Sequence, residues 1–211
     1  MDASPPFLTS FAAARSAYRE AWANPAYTRF ELPPVNVNKV LRDRYRMDPA
    51  RKVTRGEIWD MEARKAWDPG TFIPYVVSEA RSYGRDKLAD GYRFCRSSMQ
   101  KGWIADGYGR VLEDTYVSDA EQAVFFLGRE RMPGENGDEL AASTFQPIFH
   151  VEHAAGGTED EPLNIWSIVL LTQKNDPRYE EPFKEMVRLG LLPGFIEIYI
   201  EKNLGVRLSR A

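Results

Sequence analysis

The sequence predicts an α+β fold: a curved antiparallel β-sheet wrapped around a C-terminal helix, with an extra N-terminal helix and arm. Three observations predict it. Apolar residues recur at helical spacing near both ends of the chain, over 7–22 and 177–204. Between them, six runs read as strands: 75–83, 92–100, 110–117, 122–131, 139–152 and 164–173. Turn residues separate these runs, namely Asp90-Gly91, Asp106-Gly107, Ser118-Asp119, Pro133-Gly134 with Asn136-Gly137, and Gly156-Gly157. Short turns join antiparallel neighbours, because parallel strands need a longer crossover.

The elements follow in order. Phe7, Phe11, Ala14, Tyr18 and Trp22 mark one helical face, and the helix should stop before Asn24-Pro25. Residues 25–38 read as an extended connector, since Pro33-Pro34 lack amide donors. Over 40–47 the alternation of Leu41, Asp43, Tyr45 and Met47 with three arginines suits an edge strand, although Val40, Leu41 and Tyr45 also fit a helical face. Thr54 and Glu57 have the spacing of a capping box, predicting a helix over 55–66; Asp68-Pro69 opens a second short turn. After the strands, Tyr179, Phe183, Met186 and Val187 share a helical side, Pro193-Gly194 interrupts, and Gly205 ends a last segment.

At 211 residues the chain holds one sizeable core, expected over 40–211, with 1–39 as the helix and arm. A composition 43% hydrophobic and 28% charged is that of an ordinary globular domain. A net charge of -3, with no basic face, argues against nucleic acid. No apolar run approaches the roughly 18 residues of a membrane span, and the first residues lack a leader's basic and apolar regions, so no membrane partner is expected and the cytoplasm is the plain reading. The single cysteine, Cys95, excludes an internal disulfide and reads as a structural thiol. Glycine-rich phosphate loops, Gly-x-Ser-x-Gly and His-Glu-x-x-His are all absent, and no cofactor is expected.

Val53-Thr-Arg-Gly-Glu-Ile-Trp59 followed by Asp68-Pro-Gly-Thr-Phe-Ile-Pro74 resembles the way the START-like superfamily (SRPBCC) enters its two short helices. That superfamily includes polyketide cyclases and lipid-transfer domains. The resemblance spans roughly residues 40–204 and implies a helix-grip fold, with a cavity for an apolar or aromatic ligand between sheet and final helix. It carries over no catalytic residue, because the superfamily shares a cavity rather than a fixed constellation. Simple core packing by Trp59 and Phe72 is the bland account of the same residues. A ketosteroid-isomerase-like roll is the next choice, and the segment 176–204 counts against it.

Site candidates come from strand parity. Both histidines lie in Phe149-His-Val-Glu-His153. On a strand, Phe149, Val151 and His153 take one face while His150 and Glu152 take the other. One ion cannot gather all three, which weakens a His150/Glu152 iron-type site, and no metal is expected. His153, on the apolar face, is the candidate acid/base, with a partly buried histidine satisfied by one hydrogen bond as the competing account. Arg96 shares a face with Tyr92, Phe94 and Ser98, suiting it to stabilise negative charge on a ligand. Tyr92, Tyr116, Phe126, Phe149, Trp166 and Phe183 are the expected aromatic walls, although such residues are more often plain core. A one-residue register slip would reverse these faces.

These readings converge on binding of a small hydrophobic or aromatic molecule, with a polyketide cyclase or dehydratase-like activity as its enzymatic form. The alternatives are a non-catalytic carrier or sensor, a homodimeric interaction module built through the N-terminal arm, and a His/Glu metal enzyme.

Overall fold

A computed structural model describes residues 6–211. The chain runs α1 (Phe11–Ala23), β1 (Thr28–Glu31), β2 (Val35–Asn36), α2 (Val37–Arg44), β3 (Tyr45–Asp48), α3 (Arg55–Trp67), α4 (Pro69–Phe72), β4 (Val77–Leu88), β5 (Gly91–Lys101), β6 (Tyr108–Ser118) and β7 (Ala123–Arg129). There follow β8 (Arg131–Pro133), β9 (Glu139–Ala141), β10 (Phe149–Gly157), β11 (Pro162–Leu170), a 3-10 turn at Pro177–Glu180, α5 (Glu181–Leu189), α6 (Gly194–Lys202) and β12 (Arg207–Arg210).

The fold is α+β, built on an eight-stranded antiparallel sheet in the order β1-β11-β10-β7-β6-β5-β4, with β2 also on β11; it does not close into a barrel. Its inner face carries Phe94, Val124, Phe126, Phe149, Val151, Ile168 and Leu170, packed with α3 and the closing helices α5 and α6. Within that layer α3 lies directly on β7, β10 and β11, while α6 packs on α3 and α4. The outer face carries Tyr116, Phe125, Leu127 and Val169, covered by Phe11, Ala14, Tyr18 and Ala21 of α1. Helical and strand periodicities thus meet on both sides of one sheet.

Several expectations change at the elements. The strand expected over 40–47 is mostly helix: the Asn36 side chain caps α2 by accepting from the Lys39 amide (2.9 Å), and Val37 and Leu41 bury one turn apart. Strand begins only at Tyr45, where β12 pairs with β3 from more than 150 residues away. The run 139–152 splits, because β9 joins β8 in a side ribbon and β10 starts after Pro147. The connector 25–38 contributes β1 and β2 as edge strands, with Pro33-Pro34 between them where no ladder bond is needed. The N-terminal helix starts at Phe11 rather than residue 7, since Ser10 caps it and the Asp90 carboxylate accepts from the Phe11 and Ala12 amides (2.8 and 2.9 Å). Residues 1–5 of the expected arm lie outside the described residues.

Candidate functional site

A capping box sets the phase of α3: Thr54 Oγ1 accepts from the Glu57 amide (3.1 Å), and the Glu57 carboxylate accepts from the Thr54 amide (2.9 Å). The buried stripe that follows is Ile58, Met61, Glu62, Lys65 and Ala66. Two ionisable residues thus enter an apolar face, Glu62 fully buried and Lys65 3% exposed. Burial of this kind demands partners. Lys65 Nζ lies 2.5 Å from Glu62 Oε2 and 2.9 Å from His153 Nδ1. His153 Nδ1 is also 3.2 Å from Glu62 Oε2, and Asn164 Nδ2 donates to Glu62 Oε1 at 2.6 Å. Three elements, α3, β10 and β11, therefore build one polar centre.

The charges follow from the surroundings. Burial opposes ionisation of Glu62, yet Lys65 and His153 more than offset it and hold its pKa down at about 2. Burial lowers Lys65 to about 8, with Glu62 resisting the change. Burial, reinforced by the Lys65 charge, lowers His153 to about 4. At neutral pH the centre is a carboxylate, an ammonium close to its titration range and a neutral imidazole. Nδ1 of that imidazole faces an ammonium donor and a carboxylate acceptor together, so either tautomer finds a partner.

Aromatic rings enclose the centre. Trp166 stacks on His153 at 5.4 Å, and Phe126 and Phe195 present edges at 5.8 and 6.0 Å. The Lys65 ammonium sits 3.7 Å from the Phe195 ring centroid. Phe183 of α5 inserts among Phe30, Trp103 and Trp166 with centroid distances of 5.1–5.5 Å. Among the described residues, the buried Trp166 Nε1 meets no hydrogen-bond acceptor. An unpaired donor beside a buried acid/base centre marks where a ligand acceptor would be welcome.

No family model matches the chain, and no curated protein matches it. Solved structures do resemble it. The Zhui aromatase/cyclase from Streptomyces sp. R1128 is 10% identical over 83% of this chain and 95% of that one, with a TM-score of 0.48. Ara h 8.0201 is 10% identical over 85% and 99%, TM-score 0.47. Norcoclaurine synthase from Thalictrum flavum, in complex with dopamine and hydroxybenzaldehyde, is 7% identical over 97% and 98%, TM-score 0.44.

Of the residues singled out from sequence, His153, Phe126, Phe149, Trp166 and Phe183 fall in this one inner region. Three do not serve as expected. Tyr116 is on the outer face, where its hydroxyl donates to Asp114 and accepts from the Leu8 amide (2.9 Å). The sheet is covered on both sides, so β6 is buried on both faces and parity alone could not select the inner one. Tyr92 stays on the inner side of β5 but at its rim, beside Phe94 and Arg85. Arg96 lies close by with its donors already committed: Nε and Nη2 reach Glu113 Oε2 (both 2.7 Å), and Nη1 reaches the Ala66 carbonyl (3.1 Å). It braces the end of α3 instead of facing a ligand anion.

His150 and Glu152 occupy the opposite face from His153, as parity requires. His150 Nδ1 accepts from the Gly128 amide (3.0 Å), and Glu152 accepts from Ser167 Oγ (3.4 Å). Among the described residues no three His, Cys, Asp or Glu side chains are grouped to hold a metal ion. Cys95 is buried beside Arg93 (3.3 Å), and burial raises its pKa, disfavouring the thiolate. Sequence reasoning missed Glu62, Lys65 and Asn164. The available signal was the helical stripe itself: positions 58, 61, 62, 65 and 66 share one face, and two of them are charged.

Proposed function

We propose that the protein binds a small aromatic carbonyl compound between the inner face of its sheet and its closing helices, and catalyses proton transfer on it in the manner of a cyclase or dehydratase. One observation carries the reading: a fully buried Glu62–Lys65–His153 centre ringed by aromatic side chains, with the unpaired Trp166 indole donor against it. A neutral imidazole set against a buried ion pair, with pKa values displaced by burial and by specific charge partners, is the kind of arrangement that acid/base sites use.

In this reading the ligand ring takes the space that Phe183 fills, entering as α5 swings aside. Phe183 is the only buried residue of α5. His153 in its Nδ1–H form, held by Glu62, removes a proton from the carbon next to the ligand carbonyl through Nε2. Trp166 Nε1 donates to the carbonyl oxygen as negative charge develops there. The C–O bond of a β-hydroxyl then breaks, the captured proton leaves with that oxygen as water, and His153 returns to neutral. Glu62 stabilises the transient imidazolium, while Lys65 keeps it acidic enough to release the proton.

The test is turnover of a β-hydroxy aryl ketone, followed by the absorbance of the conjugated enone. His153→Ala should lower kcat at least a hundredfold while leaving ligand binding within threefold, in line with loss of a general base. Trp166→Phe should lower kcat about tenfold with little change in fold. Wild-type protein that binds the ketone without converting it would instead establish a carrier, and wild-type protein that binds no aromatic ketone would reject both forms.

A further inference from the structure

A surface groove stands outside the buried centre, and what it suggests is independent of the reading above. Two solvent-open hollows, of about 500 and 680 Å³, meet at Arg85 and Tyr92. The first runs between the end of α3, α4 and α6; the second runs along the β4–β5 turn and the β6–β7 turn. Trp67, the last residue of α3, stands 41% exposed beside them, its inner edge held by Phe94 at 5.0 Å. The Arg85 guanidinium lies 4.0 Å over the Tyr92 ring and 5.9 Å from the Trp67 ring.

A stacked guanidinium spends its faces on the rings and keeps its in-plane N–H donors for other partners. Among the described residues no carboxylate pairs with Arg85, nor with Lys87 or Lys202 on the two walls. The neighbouring acids, by contrast, are engaged. Asp60 holds Arg64 and the Tyr199 hydroxyl (2.7 and 2.8 Å), and Glu121 holds Arg15. Asp119 accepts from Trp59 Nε1 (3.1 Å), and Asp68 and Asp90 cap the amide ends of α4 and α1. The groove therefore offers solvent-exposed cations that no carboxylate pairs, next to exposed aromatic surface.

The geometry points to a binding site for an aromatic carboxylate: the ring lies against Trp67 and the Arg85–Tyr92 stack, and the carboxylate takes the free edge of Arg85 in a bidentate pair, with Lys202 or Lys87 as the second cation. Neither a neutral aromatic nor a simple anion satisfies both halves of the groove.

Naphthoate titrated into the full chain tests this, with neutral naphthyl methanol as the control and the Trp67 indole resonance as the readout. Saturable shifts of Trp67 are expected, with naphthoate at least tenfold tighter than the alcohol. Arg85→Gln should weaken naphthoate at least tenfold and the alcohol by less than threefold, since the alcohol loses only the stacking contact; Arg85→Lys should recover less than half of the naphthoate loss, because it keeps charge without the planar fork. Shifts confined to Trp166, equal affinity for the two probes, or unchanged binding by Arg85→Gln would each overturn the site. Because Trp67 and Trp166 report separately, failure here is distinguishable from failure of the buried centre.

Discussion

Glu62 and Lys65 show what a buried pair costs when it is broken. Each ion has lost its water, and each is compensated by the other and by His153 or Asn164. Removing one partner leaves the other uncompensated, at about 3–5 kcal/mol. Lys65→Met should therefore lower unfolding stability by that amount in urea titration, while the double change Glu62→Leu with Lys65→Met should be clearly less damaging than Lys65→Met alone. A double variant as unstable as the single would show that the pair's burial cost is small. The histidines give a second prediction. Burial lowers both His150 and His153 from 6.5 to about 4, with Lys65 adding to the effect at His153. The unfolded chain then binds more protons than the folded one between pH 6.5 and 4, so stability falls as pH drops through that window, by up to about 1.4 kcal/mol per pH unit for each histidine. His153→Phe should flatten roughly half of that slope; a slope unchanged by the substitution would mean that His153 titrates normally. At this scale His153 was readable from strand parity, since Phe149, Val151 and His153 alternate with polar neighbours. Glu62 was equally readable from helical phase, but a charged residue on an apolar stripe is easily taken for a solvated one.

The elements owe their positions to a few polar anchors. Asp90, in the β4–β5 turn, accepts from the first two amides of α1, 78–79 residues earlier in the chain, which fixes that helix across the outer face. Asp90→Ala should cost about 1–2 kcal/mol and raise hydrogen exchange in α1 before anywhere else. Uniform exchange across the sheet would deny the anchor. The α5 helix is the opposite case, with Val187 and Leu189 exposed and Phe183 alone buried. Phe183→Ala should release α5 locally, seen as faster proteolysis within 181–189 at nearly unchanged sheet exchange, because the rest of the helix contributes little to the core. Thr54 and Asp68 announced the starts of α3 and α4 by chemistry that acts over three or four residues, whereas the Ser10 cap of α1 and the Gly190 stop of α5 went unread. Of the strand expected over 40–47 only β3 remains, and its partner β12 was not announced, because no local pattern encodes so distant a pairing.

For the molecule as a whole, the consequence is a sheet sheltered on both faces. The apolar stripe of α1, which the sequence left free to wrap a second copy, is spent on the chain's own Phe125, Leu127 and Val169. Removing residues 1–23 should expose that surface and drive self-association, visible as a rise in scattering mass over the full chain. A fall from dimer to monomer on the same deletion would instead establish an arm-mediated dimer.

The sequence by itself determined the α+β class, the antiparallel connectivity, the caps of α3 and α4 and the face on which His153 lies, because periodicity and turn chemistry act between neighbours a few residues apart. Only the tertiary structure decided which sheet face is covered by which helix, that Glu62 and Lys65 meet His153 across 88–91 residues of chain, and that Tyr116 and Arg96 have other partners. Those outcomes depend on long-range pairing and on which charges share a buried space, and no local spacing specifies either.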